Sequence, residues 1–557
     1  IIAGDYISCA LSEDTQVFCW GKGADGQLAS GLFSDSYQPQ SSTILQRGHN
    51  NLPQVSAGLD FNSYPGVIHI PGIVLAPGKD QTQLEWELLS QPPLSKATLS
   101  AGIDARIELR EAIEGTYVLQ LKATNGSGIV TDSVVIEVAP EENGIVDFSV
   151  WNQTCVLRID GSPHCFGSGF FDTSGNPSQL PETTLVQISR GSAFSCAVGE
   201  DGGVYCWGDN SQGQLGDGTR NTSTTPYQTL SPQQILQVSA GGQHACAIKH
   251  SGEVLCWGAN GSGQLGSGDY VRATSAALVP GIHNAIQVSA GEAHTCAVLV
   301  DGDLACWGKG SFGRLGVGMS STPSTMPVPV YPPLEEVVQV SCADEHTCAR
   351  TRSGEVYCWG RNSDGRLGTG NLQNQPVPTR VIHLPEISHI SAGGNHTCAM
   401  SATKEALCWG LGSSGQLGVG DLNSSNIPLA VHNLSPVGLI EAGQEYTCAL
   451  QGDGVLKCFG TATDQRLGSG ISGISNLPVE ASPYQHAASL PPIAHAGVDQ
   501  RVSHARLDPT HRPGSVFLDA SQSYHPGGTT LTYQWTRVAP SSGASTHISS
   551  PASVRTA

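Results

Sequence analysis

Sixteen of the 17 cysteines form eight pairs whose members lie ten positions apart. They are Cys9–Cys19, Cys155–Cys165, Cys196–Cys206, Cys246–Cys256, Cys296–Cys306, Cys348–Cys358, Cys398–Cys408 and Cys448–Cys458, with Cys342 left unpaired. Histidines accompany four successive pairs: His244, His294, His346 and His396 each stand two residues before the first cysteine. In a strand, residues i and i+2 share a face, so these imidazoles recur at one place in each unit. The bolder reading is a metal-binding or pH-sensing ring. The plainer one is a structural hydrogen bond to the neighbouring unit, since Phe194 and Tyr446 in the equivalent slots interrupt any ring of ligands. The chain offers no nucleophile–base arrangement, phosphate loop, metal-ligand spacing or pair of catalytic carboxylates, so we expect no enzyme activity, cofactor or metal.

The cysteines are placed by hairpins. Runs such as His244–Ile248 and Glu253–Trp257 alternate in polarity and are separated by His250-Ser251-Gly252. Alternation over about five residues indicates strands. A three-residue loop ends in a left-handed residue, usually glycine. Gly161, Gly202, Gly252, Gly302, Gly354 and Gly454 hold that place, with Thr15 and Lys404 as exceptions. If Lys249 faces Glu253 as a hydrogen-bonded closing pair, Cys246 lies opposite Cys256 at a non-hydrogen-bonded site. Cα atoms there approach to about 4.5 Å, within reach of a disulfide. The same register joins all eight pairs; the alternative is eight reduced pairs filling core space. Eight hairpin disulfides would place the chain in an oxidising compartment. Cys342 replaces the alanine of a recurring Ser-Ala-Gly. It is expected to be an inert buried thiol, the alternative being an intermolecular disulfide.

The hairpins sit in a repeat of about 50 residues, seen in full at 238–268 as VSAGGQHACAIKHSGEVLCWGANGSGQLGSG. It returns at Ser189–Gly218, Val288–Gly318, Val340–Gly370, Ile390–Gly420 and Ile440–Gly470. A worn copy spans Phe148–Gly169, and an isolated one spans Ile2–Gly31. A fixed period of this size implies a propeller or solenoid, because one unit cannot bury its apolar surface alone. Ser239–Gly241, the dipeptides Trp207-Gly208, Trp257-Gly258, Trp307-Gly308, Trp359-Gly360 and Trp409-Gly410, and segments such as Gly263–Gly266 resemble the regulator of chromosome condensation repeat. The resemblance implies four-stranded blades of a seven-bladed β-propeller. One tryptophan per unit in the same strand suggests core packing, although a propeller of that family senses ultraviolet light with clustered tryptophans.

Between residues 52 and 140 the periodicity and the cysteines disappear. Val67–Leu75, Gln83–Leu89, Ala105–Leu109, Gly115–Thr124 and Ile129–Val138 read as strands, with Trp86 as core anchor. Ala57-Gly58-Leu59-Asp60, Trp86 and Tyr117–Leu121 resemble the polycystic kidney disease (PKD)-type immunoglobulin-like domain. Ala496–Asp499 and Tyr533-Gln534-Trp535 repeat the signature.

The expected fold is therefore all-β: a seven-bladed β-propeller with immunoglobulin-like β-sandwiches and a lone N-terminal blade. Its parts are a single blade at 1–51, either the end of a preceding propeller or completed by a neighbour, a sandwich at 52–140, the propeller at 141–486 and an incomplete sandwich at 487–557. Ser42–Gln46 reads as the outer strand of the lone blade, and Pro478-Val479-Glu480 as the strand closing the ring.

A net charge of −20 disfavours nucleic acids and anionic membranes, and no apolar run is long enough to span a bilayer. Asn125, Asn152, Asn221, Asn260, Asn395, Asn423 and Asn433 begin glycosylation sequons, relevant in a secretory pathway. The leading expectation is a non-enzymatic extracellular or cell-surface structural or adhesion protein, a segment or subunit of a filament. Its partners would be copies of itself or further domains of the same long polypeptide, and glycans or surface proteins. The alternative is a secreted module binding a protein or glycan through one propeller face. Nucleotide exchange on a small GTPase, the founding activity of the resembled family, fits poorly with paired cysteines because those GTPases work in the reducing cytosol.

Overall fold

The computed structural model describes residues 82–93, 95–100, 107–113, 115–125, 128–138, 144–158, 160–167, 183–230, 235–434, 436–452 and 454–481. It also describes, mainly as backbone strands, parts of 2–75 together with 518–519 and 555–556. By internal contacts the chain forms two units, 1–481 and 482–557. Apart from two single 3-10 turns, every described element is a strand.

The repeat builds an antiparallel sheet of four strands in chain order. In one copy these are Ile235–Ala240, His244–Lys249, Val254–Gly258 and Ala273–Leu278. The Lys249 N–H donates to the Glu253 carbonyl at 2.9 Å, and the Gly252 N–H to the Lys249 carbonyl at 2.8 Å. Gly252 has φ +80° and Lys404, in the same place, φ +65°. The three-residue loop thus sets Cys246 opposite Cys256.

Seven sheets of this kind follow one another among the described residues between Ile145 and Glu480; the first shows three strands, the others four. Each shares a core with the next. Phe194, Cys206 and Leu215 of the second sheet pack with Trp257 of the third, and Cys256 and Leu265 of the third pack with Trp307 of the fourth. Ile145, Phe148 and Val150 of the first join Tyr446, Leu450 and Leu467 of the last. The second glycine of Gly-x-Leu-Gly makes this packing possible. A Cβ on Gly216, at φ +69°, would meet the Trp257 ring at 2.9 Å.

Between residues 54 and 138 one sheet orders Phe61–Ser63, Gly128–Val138, Gly115–Asn125 and Gln83–Ser90. A second orders Thr98–Leu99, Ile107–Ala112 and Gly66–Ile70. Both contribute to one core containing Tyr117, Leu119, Leu121, Ile136, Leu109 and Ile70. Trp86 is only half-buried at its edge, whereas Tyr117 is fully buried. The Tyr117 hydroxyl accepts the Ile113 N–H at 2.8 Å, so Tyr117 takes the anchoring role that the sequence suggested for Trp86.

Several expected strands are redrawn. Val67–Leu75 divides into Gly66–Ile70 and Ile73–Leu75, in different sheets. Pro71-Gly72 lies between them, and proline with its fixed φ and missing N–H favours a turn. Ala105–Leu109 becomes Ile107–Ala112. The outer strand of the first copy is Ser36–Ser41, not Ser42–Gln46, and Cys19 faces Gln40. Pro478–Glu480 belongs to Ile474–Glu480, which pairs within its own sheet with Leu456–Thr461. Backbone register sets Cys9 opposite Cys19, but their side chains lie outside the described residues. So does the expected half-sandwich at 487–557, except that Leu518–Asp519 pairs with Arg555–Thr556.

Candidate functional site

Seven cysteine pairs, from Cys155–Cys165 to Cys448–Cys458, form disulfides across adjacent strands with Cα separations of 3.9–4.1 Å. Cys342 is a buried free thiol. Its N–H donates to Ser289 Oγ at 2.9 Å, and burial pushes the thiol up to about 12. His294, Cys296 and Cys342 bring potential ligand atoms within 4.8 Å of one another. Cys296 is bonded to Cys306, however, so its sulfur is no thiolate ligand, and only two candidate ligands remain.

The four recurring histidines join neighbouring sheets. Nε2 of His244, His294, His346 and His396 lies 2.8–2.9 Å from the hydroxyl of Thr295, Thr347, Thr397 and Thr447 respectively. Each threonine hydroxyl donates its proton to a backbone carbonyl, of Gln264, Arg314, Arg366 and Gln416 in turn. Its oxygen must therefore accept from the imidazole, which selects the neutral Nε2–H tautomer. Two of those carbonyls serve tryptophan as well: Trp307 and Trp359 donate Nε1–H to Gln264 and Arg314 at 2.9 Å, and Trp257 donates to the equivalent Gln214 carbonyl at 2.9 Å. The Nδ1 atoms of the four histidines are buried without a hydrogen-bond partner among the described residues. Burial lowers the pKa of His244 and His396 to about 3 and holds those of His294 and His346 well below the usual value. The imidazoles are structural donors; no two of them converge on one ion.

The remaining interfaces use variants of this pair. Phe194 packs in one core with Ala245, where there is no imidazole for a threonine to accept from. Arg190 bridges Ser195 and Gln153. Tyr446 meets Thr154, whose hydroxyl donates to the Arg466 carbonyl at 2.8 Å.

A second belt runs along the innermost strands. The hydroxyls of Ser149, Ser189, Ser239, Ser289, Ser341 and Ser391 accept the N–H of Arg190, Ala240, Ala290, Cys342, Ala392 and Ala442, at 2.9–3.0 Å. Glu441 replaces serine at the last position and accepts the Val150 N–H at 3.3 Å. Asp147 accepts the Ile188 N–H at 2.9 Å, where other copies use Gln187, Gln237, Gln287 and Gln339. Burial raises the pKa of Asp147 to about 7; burial, then the Asp147 charge, raises that of Glu441 to about 8.

A charged network lies where the turns after the innermost strands meet the Gly-x-Leu-Gly loops. Arg314 and Arg366 take the place that Gln214, Gln264 and Gln416 hold in other copies, and both are buried. Arg314 donates to the Asp344 carbonyl and pairs with Glu345 at 3.7 Å. Arg361 reaches the same carboxylate at 2.6 Å and stacks over Phe312 at 5.2 Å. Arg366 binds Asp364 and the Gly394 carbonyl. Asp344 accepts from Gln444 Nε2 at 2.8 Å, and burial raises its pKa.

Sheets of this form, each locked to the next, are blades of an RCC1-type propeller architecture. The RCC1-like domain model matches residues 150–437 and 236–502, together more than half of the chain, and an RCC1 repeat model matches 3–27. The chain belongs to the RCC1-like repeat family. It is 28% identical over 229 residues to the E3 ubiquitin-protein ligase HERC2 of Mus musculus, covering 41% of this chain and 4% of that protein. It is 42% identical over 57 residues to the mitochondrial RCC1 domain-containing protein RUG3 of Arabidopsis thaliana, 10% of this chain and 13% of that one. The chain thus spans a small part of the curated relatives it matches. Among solved structures, Prp20p of Saccharomyces cerevisiae matches with a TM-score of 0.53 and 20% identity, covering 62% of this chain and 89% of that one. Human WBSCR16 matches with a TM-score of 0.51 and 23% identity, covering 66% and 98%. At these identities the likeness concerns fold alone.

Proposed function

We propose that this chain is a non-enzymatic structural or adhesion protein of an extracellular or cell-surface setting, built around a closed seven-bladed propeller at 141–486. The observation that carries this reading is the repetition of a cross-strand disulfide in blade after blade. Seven such links are characteristic of an oxidising compartment, and each ring of this size stabilises a short hairpin by roughly 2–3 kcal/mol. The shared core and paired side chains between the first and last sheets support closure at seven. Residues 52–140 fit a PKD-type sandwich: two sheets on one core, with a tyrosine hydroxyl bound to backbone four residues upstream. Further sandwich and blade sequences at the two ends suit a repeating surface assembly whose partners are copies of itself or more of the same polypeptide.

The test is a disulfide map of protein purified from its native source under alkylating conditions. Eight hairpin links with Cys342 free support the extracellular reading; free thiols throughout, or links between blades, overturn it. A second reading, a secreted module binding a protein through one propeller face, is favoured by the fixed network around Glu345, Asp344 and Arg361. Prp20p, a fold relative, is described with its binding to Gsp1p and histones. Charge reversal at Glu345 that abolishes capture of a native partner, with unchanged thermal stability, would favour that reading.

A further inference from the structure

The outermost strand is the edge of each blade: an outward carbonyl near its start, that of Thr274, Thr325, Pro376, Asn426 or Asn476, accepts a glycine N–H of the preceding blade, and the repeat treats the rest of the row in a regular way. Opposite the second cysteine of the seven hairpins with a described outer strand stand Gln40, Tyr227, Ala277, Val328, Thr379, Leu429 and Val479. The residue just before each of these is Pro39, Pro226, Ala276, Pro327, Pro378, Pro428 and Pro478. Proline holds this place in every described outer strand except Ala273–Leu278.

Backbone geometry explains the choice. The N–H groups of Val279, Val330, Val381, Val431 and Ala481 point inward and donate to Val254, Leu304, Val356, Ala406 and Leu456. Alternation then turns the residues three and one positions earlier outward, away from the sheet. Proline costs no ladder bond at such a position and leaves the edge without a donor, a common guard against strand pairing. In Ala273–Leu278 both outward positions, Ala276 and Leu278, keep their N–H groups. The strand has no charged residue. Large apolar side chains flank it in solvent: Tyr270 is 54% exposed, Val271 68% and Leu278 44%.

We propose that the outer edge of Ala273–Leu278 is a docking site for an extended peptide segment of a cationic partner protein, which adds as a further strand to this blade. Backbone hydrogen bonds to Ala276 and Leu278 supply the register, and Val271 and Leu278 offer apolar contact to alternate side chains of the incoming strand. The assembly proposed above joins copies through the ends of the chain; at this edge a second copy would bring its own net charge of −20 to a strand with no charge to offset it, whereas lysine or arginine beside the added strand is attracted. The site lies on the rim of one blade, apart from the charged network near Glu345, and does not depend on the compartment in which the protein works.

The probe is a synthetic peptide of about ten residues, alternating threonine and valine with lysines at both ends, a composition suited to an extended strand. Full-length protein should bind it, with slowed amide exchange confined to residues 270–279. Ala276→Pro installs the residue of the other blades, so it should leave the thermal midpoint unchanged and weaken binding at least tenfold. Pro428→Ala should open a second edge and create new protection across 425–430, which tests the idea independently of how the first variant folds. Undiminished binding by Ala276→Pro, protection elsewhere, or no binding at all would overturn the proposal. Self-association in the absence of peptide that Ala276→Pro abolishes would assign the edge to a second copy and also overturn it.

Discussion

The Tyr446 phenol lies 3.1 Å from the Thr154 hydroxyl although the two residues are 292 positions apart. Thr154 passes its own proton to the Arg466 carbonyl, as Thr447 does to that of Gln416. The contact between the last blade and the first therefore repeats the one between His396 and Thr447, with a phenol in place of an imidazole. A linear array would leave Tyr446 and Thr154 without each other.

Removing either member should show which atom the seam depends on. Tyr446→Phe deletes one partner of the Thr154 hydroxyl, which keeps the Arg466 carbonyl, so the cost should be about 1 kcal/mol. Thr154→Val leaves both the phenol and that carbonyl without their partner, at about 1–3 kcal/mol. Denaturant unfolding with the disulfides intact measures both. A valine variant as stable as the phenylalanine one would contradict the place of the Thr154 hydroxyl between the phenol and the Arg466 carbonyl.

The Phe194–Ala245 interface suggests an exchange experiment. His346→Phe alone should destabilise because the larger ring meets Thr397 and deprives it of its donor. Adding Thr397→Ala reproduces the native Phe194–Ala245 combination and should recover about 1 kcal/mol. Additive losses in the double-mutant cycle would show that the two positions are not coupled.

Stability should peak between about pH 6 and 7, with opposite causes on the two sides. The four buried histidines have folded pKa values depressed from the ordinary 6.5, to about 3 where a value is resolved. Below 6.5 the unfolded chain takes up protons that the folded one refuses, so their contribution is lost as pH falls towards 3. Asp147 and Glu441 behave in reverse, with folded values raised from 3.8 and 4.5 to about 7 and 8. Their contribution is complete below about pH 4 and disappears as pH rises through 8. Glu441→Ser, which restores the residue of the other copies, should flatten the alkaline side of a thermal-midpoint profile and steepen the acid side above about pH 4.5, where Glu441 opposes the histidines. An unchanged alkaline limb would remove Glu441 from this role.

The hairpin loops provide a backbone test. Lys404 adopts φ +65° where six equivalent positions hold glycine. Lys404→Gly should relieve left-handed strain and raise stability by up to about 1 kcal/mol. Gly252→Ala should do the opposite, because a Cβ there would meet the His283 carbonyl oxygen at 2.7 Å as well as the unfavourable φ of +80°. Thermal midpoints of opposite sign relative to the native chain are expected.

The repeat, its strands and the cysteine register were legible because they depend on local rules. A three-residue loop with a left-handed third position dictates which residues face each other, whatever surrounds the hairpin. Gly252 and its counterparts carry that information, and even Lys404 follows it. The outer strand of the first copy could have been placed the same way, since Pro39 sits where Pro428 and Pro478 sit. The division of Val67–Leu75 was signalled by Pro71-Gly72.

Relations between blades depend on which surfaces meet, and a single repeat does not state this. The histidines stood out in the sequence, but their acceptors, Thr295, Thr347, Thr397 and Thr447, lie 51 or 53 positions away on another sheet. The pairing became visible as a pattern once His-with-Thr, Phe-with-Ala and Tyr-with-Thr were seen across successive interfaces. Trp86 was overvalued and Tyr117 undervalued because size suggests burial, whereas the meeting of two sheets determines which ring reaches the centre. Glu441 and Asp147 read as ordinary polar residues of an inner strand. Only juxtaposition of the first and last blades brings two carboxyl groups together and shifts both towards neutrality. Sequence specifies the blade through short-range backbone geometry and period; the tertiary structure decides the ring, its proton directions and its exposed edge, because those arise from contacts between residues far apart in the chain.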